Sequence, residues 1–344
     1  MKKSLTAFLF LVSTLAMSQK DIAKFFPAAA APGSVNNVQQ LVSGYISPIA
    51  EDFGSLMNNG WYNTAATHKK FGFDFSVAMN SITAKSDTKY FTIPPLQGVN
   101  YNGTGNKTDK APTAYGPKGE FPSFSFNGGV NNGIPFLGPD GGNISEEVPI
   151  GSVAVPTVQA GIGLFGNTDL RIRYTPSIKI GSTDLTNWGI GVHHDIKQHI
   201  PGIKELPFSL SLLVAYSQLT ATTDLSGVYT GSGQEGLGET KGYTAQVLIS
   251  KSLAVITFYG GIGFNSATTT YSVKGTYLVD KTGEGIPLLS SVNLTDPYKQ
   301  EFKSSGFRAT GGMRLKLGPI IMNGDYTLVD TKGVFTAGFG FTVR

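Results

Sequence analysis

The feature that most constrains this chain is an alternation with a period of two residues, which recurs from residue 70 to the C-terminus. In Phe71-Gly72-Phe73-Asp74-Phe75-Ser76-Val77-Ala78-Met79-Asn80 every odd position is large and apolar, and every even one is small or polar. Leu170 to Ile180 repeats the pattern with Arg171, Arg173 and Lys179 on one face, and Phe307 to Leu317 does so with Arg308, Arg314 and Lys316. The last segment sets Phe335, Ala337, Phe339, Phe341 and Val343 against Thr336, Gly338, Gly340 and Thr342. Such alternation places two side-chain sets on opposite faces of a sheet. Ten segments carry it, at 70–83, 149–166, 168–181, 187–199, 206–222, 239–252, 253–272, 299–317, 318–329 and 332–343. Most reach the roughly 9–11 residues with which a tilted strand crosses a bilayer.

The connections give a second, independent signal. Long ones, at about 84–148, 223–238 and 280–298, follow odd-numbered strands, whereas those after even-numbered strands are short or moderate. Long loops on one rim and short turns on the other are the plan of an outer-membrane barrel with an even strand count and periplasmic termini. The expected fold is all-β: a transmembrane antiparallel up-and-down barrel of about ten to twelve strands, preceded by a short N-terminal helix. The upper count would enlist the apolar runs at 88–93 and 121–126.

The chain divides into three parts. Lys2 and Lys3 precede an apolar run from Leu5 to Ala16, and Ala16-Met17-Ser18 supplies small residues for cleavage near Ser18-Gln19. Residues 1–18 therefore read as a secretory signal peptide, too short to span a membrane as a helix. Sec export to the outer membrane of a Gram-negative cell is the expected route. Residues 19–69 form a pre-barrel segment expected on the periplasmic side. Within it Val38, Val42, Tyr45, Ile49 and Phe53 recur at helical steps, predicting a helix over 34–58 with a kink at Pro48. That helix either caps the barrel mouth or plugs the lumen. Residues 70–344 form the barrel, with a loop over 96–148 rich in Gly, Asn and Pro that could fold inward.

An apolar exterior facing lipid assigns the other strand face to the lumen. Asp74, Arg171, Arg173, Lys179, His193, Gln246, Arg308, Arg314, Lys316, Asn323 and Asp325 are the expected lumen residues. The basic majority implies either a field favouring anionic or polar solutes, or an internal salt-bridge network that only stabilises the barrel. Tyr174, Trp188, Tyr216, Tyr243 and Tyr326 are candidates for aromatic girdles at the membrane interfaces.

No catalytic, metal or cofactor site is expected. The chain has no cysteine, so thiol chemistry and Cys-based metal sites are excluded. His193 and His194 point to opposite faces of a strand and cannot easily share a metal. No serine stands near a histidine in the spacing of a barrel phospholipase, and no Asp–His pairing marks an outer rim. Gly161-Ile162-Gly163 and Gly260-Gly261-Ile262-Gly263 lie inside alternating strands, with no helix following, so they are not nucleotide loops. The net charge of +4 has no basic block to suggest nucleic acid. Expected partners are outer-membrane lipid, the barrel-assembly machinery and a small-molecule or lipidic ligand. The function expected is a passive channel or transporter for small polar or hydrophobic solutes. The alternative is a non-transporting barrel serving as surface anchor, adhesion element or assembly partner.

Leu41-Val42-Ser43-Gly44-Tyr45-Ile46-Ser47-Pro48, Gly60-Trp61-Tyr62-Asn63-Thr64-Ala65, Phe71-Gly72-Phe73-Asp74 and Phe335-Thr336-Ala337-Gly338-Phe339-Gly340 together resemble an uncharacterised family of Bacteroidota outer-membrane proteins. The resemblance covers nearly the whole mature chain and implies a barrel in the outer membrane, with no substrate attached. A helical segment ahead of a barrel is also similar in plan to long-chain fatty-acid and hydrocarbon transporters, whose barrels have more strands than this chain offers. The ending Phe341-Thr342-Val343-Arg344 departs from the terminal aromatic residue common in such barrels.

Overall fold

A computed structural model describes residues 21–32, 34, 36–83, 85–142, 153–180 and 183–343. The leader expected at 1–18 and the end of the loop expected at 96–148 lie outside the described residues. Ten strands close into one barrel. They are β1 (Phe73–Ile82), β2 (Val153–Gly163), β3 (Thr168–Ile180), β4 (Thr183–Asp195) and β5 (Ser209–Asp224). The circuit continues through β6 (Glu235–Leu253), β7 (Ile256–Lys274), β8 (Tyr298–Leu317), β9 (Ile320–Val329) and β10 (Lys332–Val343). Each strand is antiparallel to its chain neighbour, and β1 pairs with β10 from Phe73↔Val343 to Ile82↔Val334, which leaves no open edge.

The count settles at ten because the two extra runs do not join the wall. Tyr90–Thr92 pairs with Lys110–Pro112, and Ser123–Phe126 lies between Val99–Gly103 and Pro135–Leu137 in a separate three-stranded sheet. These pieces are far shorter than a bilayer crossing. They fold into a cap on the rim that also carries the hairpin Thr276–Lys281/Pro287–Thr295. The opposite rim has only tight connections after β6 and β8, four residues after β2, and a longer turn after β4 with a single 3₁₀ turn at Lys197–His199. The parity read from the sequence is therefore realised, with a long-loop rim and a short-turn rim. Strands β5 to β8, at 16, 19, 19 and 20 residues, exceed what a bilayer needs and carry the wall up toward the cap.

The alternation resolves into two surfaces. Phe73, Phe75, Ile172, Ile190, Val214, Phe258, Ile262, Phe264, Met313, Phe339 and Phe341 are exposed on the outside, where lipid would cover them. Tyr174, Trp188, Tyr216 and Tyr243 form a belt across β3 to β6. Tyr174 and Trp188 are register partners, Trp188 and Tyr216 lie 5.2 Å apart, and Tyr216 and Tyr243 lie 4.8 Å apart. Tyr326 is exposed separately on β9. Among the described residues no helix is long and apolar enough to cross a membrane.

The pre-barrel segment occupies the lumen. A 3₁₀ helix, Ile22–Ala30, sits under the cap, with Phe26 against Tyr277 at 4.9 Å and Phe25 against Phe124 at 6.2 Å. Helix α1 (Asn37–Leu56) then descends inside the wall and runs unbroken through Pro48. Its Ser43 meets Tyr298 at the top of β8 and its Ser55 meets Ser304 further down. Residues 57–68 continue downward, reaching Thr342 beside the short-turn rim before β1 starts back up. Of the two expected placements of the helix, a cap on the barrel mouth or a plug in the lumen, α1 takes the second. The described part enters at the long-loop rim because its apolar face, Val38, Val42, Tyr45, Ile49 and Phe53, is matched there by Ile82, Val153, Leu185, Leu219, Val273 and Val334. The short-turn half of the lumen is polar and would leave that face uncovered.

Candidate functional site: the occupied lumen

Below α1 the lumen is filled by a short irregular stretch, and the wall satisfies its backbone. A chain without regular structure in a buried place leaves carbonyls that need donors. Arg173 donates to the carbonyls of Met57 (3.0 Å) and Asn59 (2.8 Å), and Arg308 donates to the Asn58 carbonyl and to Asn59 Oδ1, both at 2.8 Å. Arg171 and Gln159 both donate to the Trp61 carbonyl, at 3.2 and 3.1 Å. Asn58 in turn donates to Asn265 and to the Tyr243 carbonyl. Tyr62 donates to Gln246 at 3.2 Å, and Gln246 donates to Thr244. The turn out of α1 needs Gly60 at φ 71°, where a side chain would meet Asn80.

Trp61 is the largest fully buried side chain of this stretch. Its indole fits because Gly189 and Gly191 on β4 present no side chain: a Cβ on either would stand 3.1–3.2 Å from the ring. The ring also carries the Arg173 guanidinium, 4.1 Å from its centroid. The basic residues expected to bias an open lumen toward anions therefore serve another purpose here, holding the plug's carbonyls and its tryptophan.

The foot of the plug is a charged cluster. His68 Nδ1 lies 2.9 Å from Asp169 and its Nε2 lies 3.4 Å from Asp74 and 3.2 Å from Thr342. Arg171 approaches both carboxylates at 3.5 Å. His193 Nε2 is 2.6 Å from Ser211, and its Nδ1 is 3.8 Å from Asp169. Sequence inspection missed this serine–histidine–aspartate grouping because the three sit on different strands. All three are fully buried, none lines a described cavity, and the last distance exceeds a hydrogen bond. At the long-loop rim Asp52 accepts from Lys332 (2.8 Å) and from Tyr115 (2.7 Å). Burial raises the Asp52 carboxyl above its ordinary value despite that lysine, and burial beside Asp52 raises the Tyr115 phenol well above its own.

Of the predicted lumen residues, Asp74, Arg171, Arg173, His193, Gln246, Arg308 and Asp325 are buried inside the wall, Asn323 is half-buried there, and Arg314 and Lys316 lie half-buried toward the short-turn mouth. Lys179 is a correction: it is exposed and pairs in register with Asp184. A bulge between Thr175 and Ile178 adds one residue to β3, which turns Ile178 inward onto the core and Lys179 away from it. Asn58, Asn59, Trp61, Tyr62 and His68 were not singled out as site residues. Their signal was present, a run of asparagines and aromatics without strand alternation just ahead of the first strand.

Two spaces lie against α1, both uncharged. An apolar cavity of about 50 Å³ is bounded by Ile46, Ile49 and Phe53 of the helix and by Leu219, Thr240 and Tyr271 of the wall. The Tyr271 hydroxyl is buried without a hydrogen-bond partner. Beside it a crevice of about 520 Å³ opens between the helix and the wall, lined by Gln39, Gln40, Ser43, Phe91, Gln300 and Phe302 among others. Tyr271 and Gln300 are register partners on β7 and β8, so the two spaces adjoin the same stretch of wall.

Among solved structures the chain is similar to the attachment invasion locus protein Ail of Yersinia pestis (7% identity, TM-score 0.27, 80% of this chain and 100% of that one). It is also similar to the translocator domain of the autotransporter NalP from Neisseria meningitidis (11%, 0.31, 80% and 90%). A third likeness is to the outer-membrane protease OmpT of Escherichia coli (7%, 0.23, 79% and 92%). No curated protein matches. A family model matches residues 1–343, and the chain belongs to that family, described as a family of unknown function (DUF6588).

Proposed function

We propose that this is an outer-membrane barrel held shut by its own N-terminal segment, which takes up small uncharged solutes through the space between α1 and the wall. The observation that carries this reading is the crevice at the long-loop rim. It is within the size range of ligand sites, is lined by amides, hydroxyls and aromatic rings with no charge, and adjoins an apolar cavity holding an unpartnered tyrosine hydroxyl. An open, anion-favouring pore is not supported, because the lumen is filled and its guanidinium groups are engaged. The apolar cavity is too small for a long acyl chain, so passage requires α1 to move. The apolar outer face supports placement in lipid, with the capped rim outward as in other outer-membrane barrels. We read the chain as non-enzymatic.

A second reading, a non-transporting barrel whose cap is a contact surface, is favoured by one specific observation: four buried wall residues bind plug carbonyls directly. A flux assay separates the two. Protein reconstituted into vesicles should admit a small alcohol, a hexose or a monoaromatic hydrocarbon while excluding charged solutes of the same size. Gln300→Arg should reduce that entry. Absence of entry for every uncharged solute, in correctly inserted protein, overturns transport and leaves the second reading.

A further inference from the structure

Two histidines on the short-turn rim bring their ring nitrogens together. His194 lies one residue before the end of β4, and His199 closes the 3₁₀ turn Lys197–His199 that follows it. Their Nε2 atoms are 3.0 Å apart and their ring centroids 5.3 Å apart. His194 is half-buried and His199 exposed, whereas His193, on the other face of β4, is buried and takes no part. The backbone beneath the pair is pinned. The Gln198 side-chain amide donates to the carbonyls of Gly166 (3.0 Å) and Asp195 (2.8 Å) and accepts from Asn167 (3.0 Å), which ties the 3₁₀ turn to the turn between β2 and β3. The Lys197 amide donates to the Asp195 carboxylate at 2.9 Å. Its ammonium group donates to the Leu206 carbonyl and lies 5.0 Å from the Phe208 ring, so that cation is engaged there.

Two neutral imidazoles so placed can share one proton between the facing nitrogens, or both can turn a lone pair to a metal ion. The hydrogen bonding behind His194 suits the second state. Its Nδ1 lies 2.8 Å from the hydroxyl of Thr168, its register partner on β3, and that hydroxyl donates to the Gly166 carbonyl at 3.4 Å. The Thr168 oxygen can therefore accept Nδ1–H, which leaves the lone pair on Nε2. A partner that fixes the other ring nitrogen is the support a metal-ligating histidine uses. The spacing agrees. Zinc bound to imidazole nitrogens at about 2.0–2.1 Å in a tetrahedral site sets two of them about 3.3–3.4 Å apart and their ring centroids about 5.2 Å apart. The centroids already stand at that separation, so tilting the rings in place opens the nitrogens by the required few tenths of an ångström. Among the described residues no third histidine, aspartate or glutamate joins the pair, which leaves the other coordination positions to water.

We infer that His194 and His199 together bind a divalent transition-metal ion of the class that prefers imidazole, zinc foremost, at the short-turn rim. The bound ion fastens the turn between β4 and β5 to the end of β4, and the inference does not depend on whether the barrel transports anything. The test is calorimetric titration of the full-length protein, free of any polyhistidine tag, with zinc chloride in a neutral detergent. The expected result is one saturable site per chain. Binding should weaken at least tenfold in His194→Gln and in His199→Gln, and should be unchanged in Glu205→Gln, whose carboxylate is exposed on the same turn. Folding of each variant is checked by its migration on unheated gels. A second measurement needs no variant: with one equivalent of copper(II), pulsed electron paramagnetic resonance of the wild-type protein should show two imidazole nitrogens on the ion. Absence of saturable zinc binding, equal binding by a folded histidine variant, or fewer than two imidazole nitrogens on copper overturns the inference.

Discussion

Replacing Trp61 with alanine should unseat the plug without dismantling the barrel. The indole is fully buried, packs on the bare backbone of Gly189 and Gly191, and stacks on Arg173 at 4.1 Å. Its ring nitrogen has no hydrogen-bond partner, so truncation orphans no acceptor. The loss is packing, a cavity and a cation–π contact, about 3–5 kcal/mol for a buried tryptophan. The wall's hydrogen-bond ladders are untouched, so the loss falls on the balance between seated and displaced plug. At about 1.4 kcal/mol per tenfold, the displaced fraction should rise by about two to three and a half orders of magnitude. Current recordings in planar bilayers read this directly: wild-type protein should be closed nearly all the time, and Trp61→Ala should show frequent openings. Gly191→Val supplies the complement, because its Cβ would stand 3.1 Å from Ala215 and 3.2 Å from the indole. It should open the wild-type barrel and restore closure in Trp61→Ala. An inserted Trp61→Ala barrel as silent as wild type, with amides of residues 57–65 exchanging no faster, would refute the reasoning.

Two further outcomes follow from other parts of the structure. Because burial raises the Asp52 carboxyl in the folded state, that group contributes stability that is complete at low pH and is lost as pH rises through its folded value. Asp52→Asn should therefore flatten the pH dependence of α1 protection, measured by hydrogen exchange, in the window above the ordinary carboxyl value of 3.8. An unchanged profile would assign the dependence to another group. On the outer face, Ile262→Arg should destabilise the barrel by about 2–4 kcal/mol in denaturant titrations from lipid vesicles. A similar cost in a detergent-free aqueous state, or none in lipid, would argue against lipid at that surface.

The wall was largely legible because alternation and burial are the same fact seen twice: Phe71 to Asn80 and Phe335 to Val343 could hardly form anything but strands with one greasy face. Strand ends were less legible. The stretch Thr183–Thr186 belongs to β4 yet carries a weak apolar signal, since it lies where the strand rises toward the cap. The direction of Lys179 was hidden by the bulge in β3, which no local pattern announces. The helix could be read from Val38 to Phe53, but its position could not, because an amphipathic face shows that a partner exists without saying where. Arg173 and Arg308 were rightly turned inward, while their purpose depended on carbonyls of Met57, Asn58 and Asn59, groups that every residue has and no sequence displays.

The central claim is that residues 37–68 close the lumen and must move for anything to pass. The chain has no cysteine, and Ser55 of α1 faces Ser304 of β8 with their hydroxyls 3.3 Å apart, which makes them the contact between plug and wall to replace by cysteines. Ser55→Cys/Ser304→Cys, oxidised and reconstituted into vesicles, should abolish entry of uncharged solutes, and a reductant added to the same vesicles should restore it. Solute entry that is equal in the locked and reduced states would contradict a mobile plug.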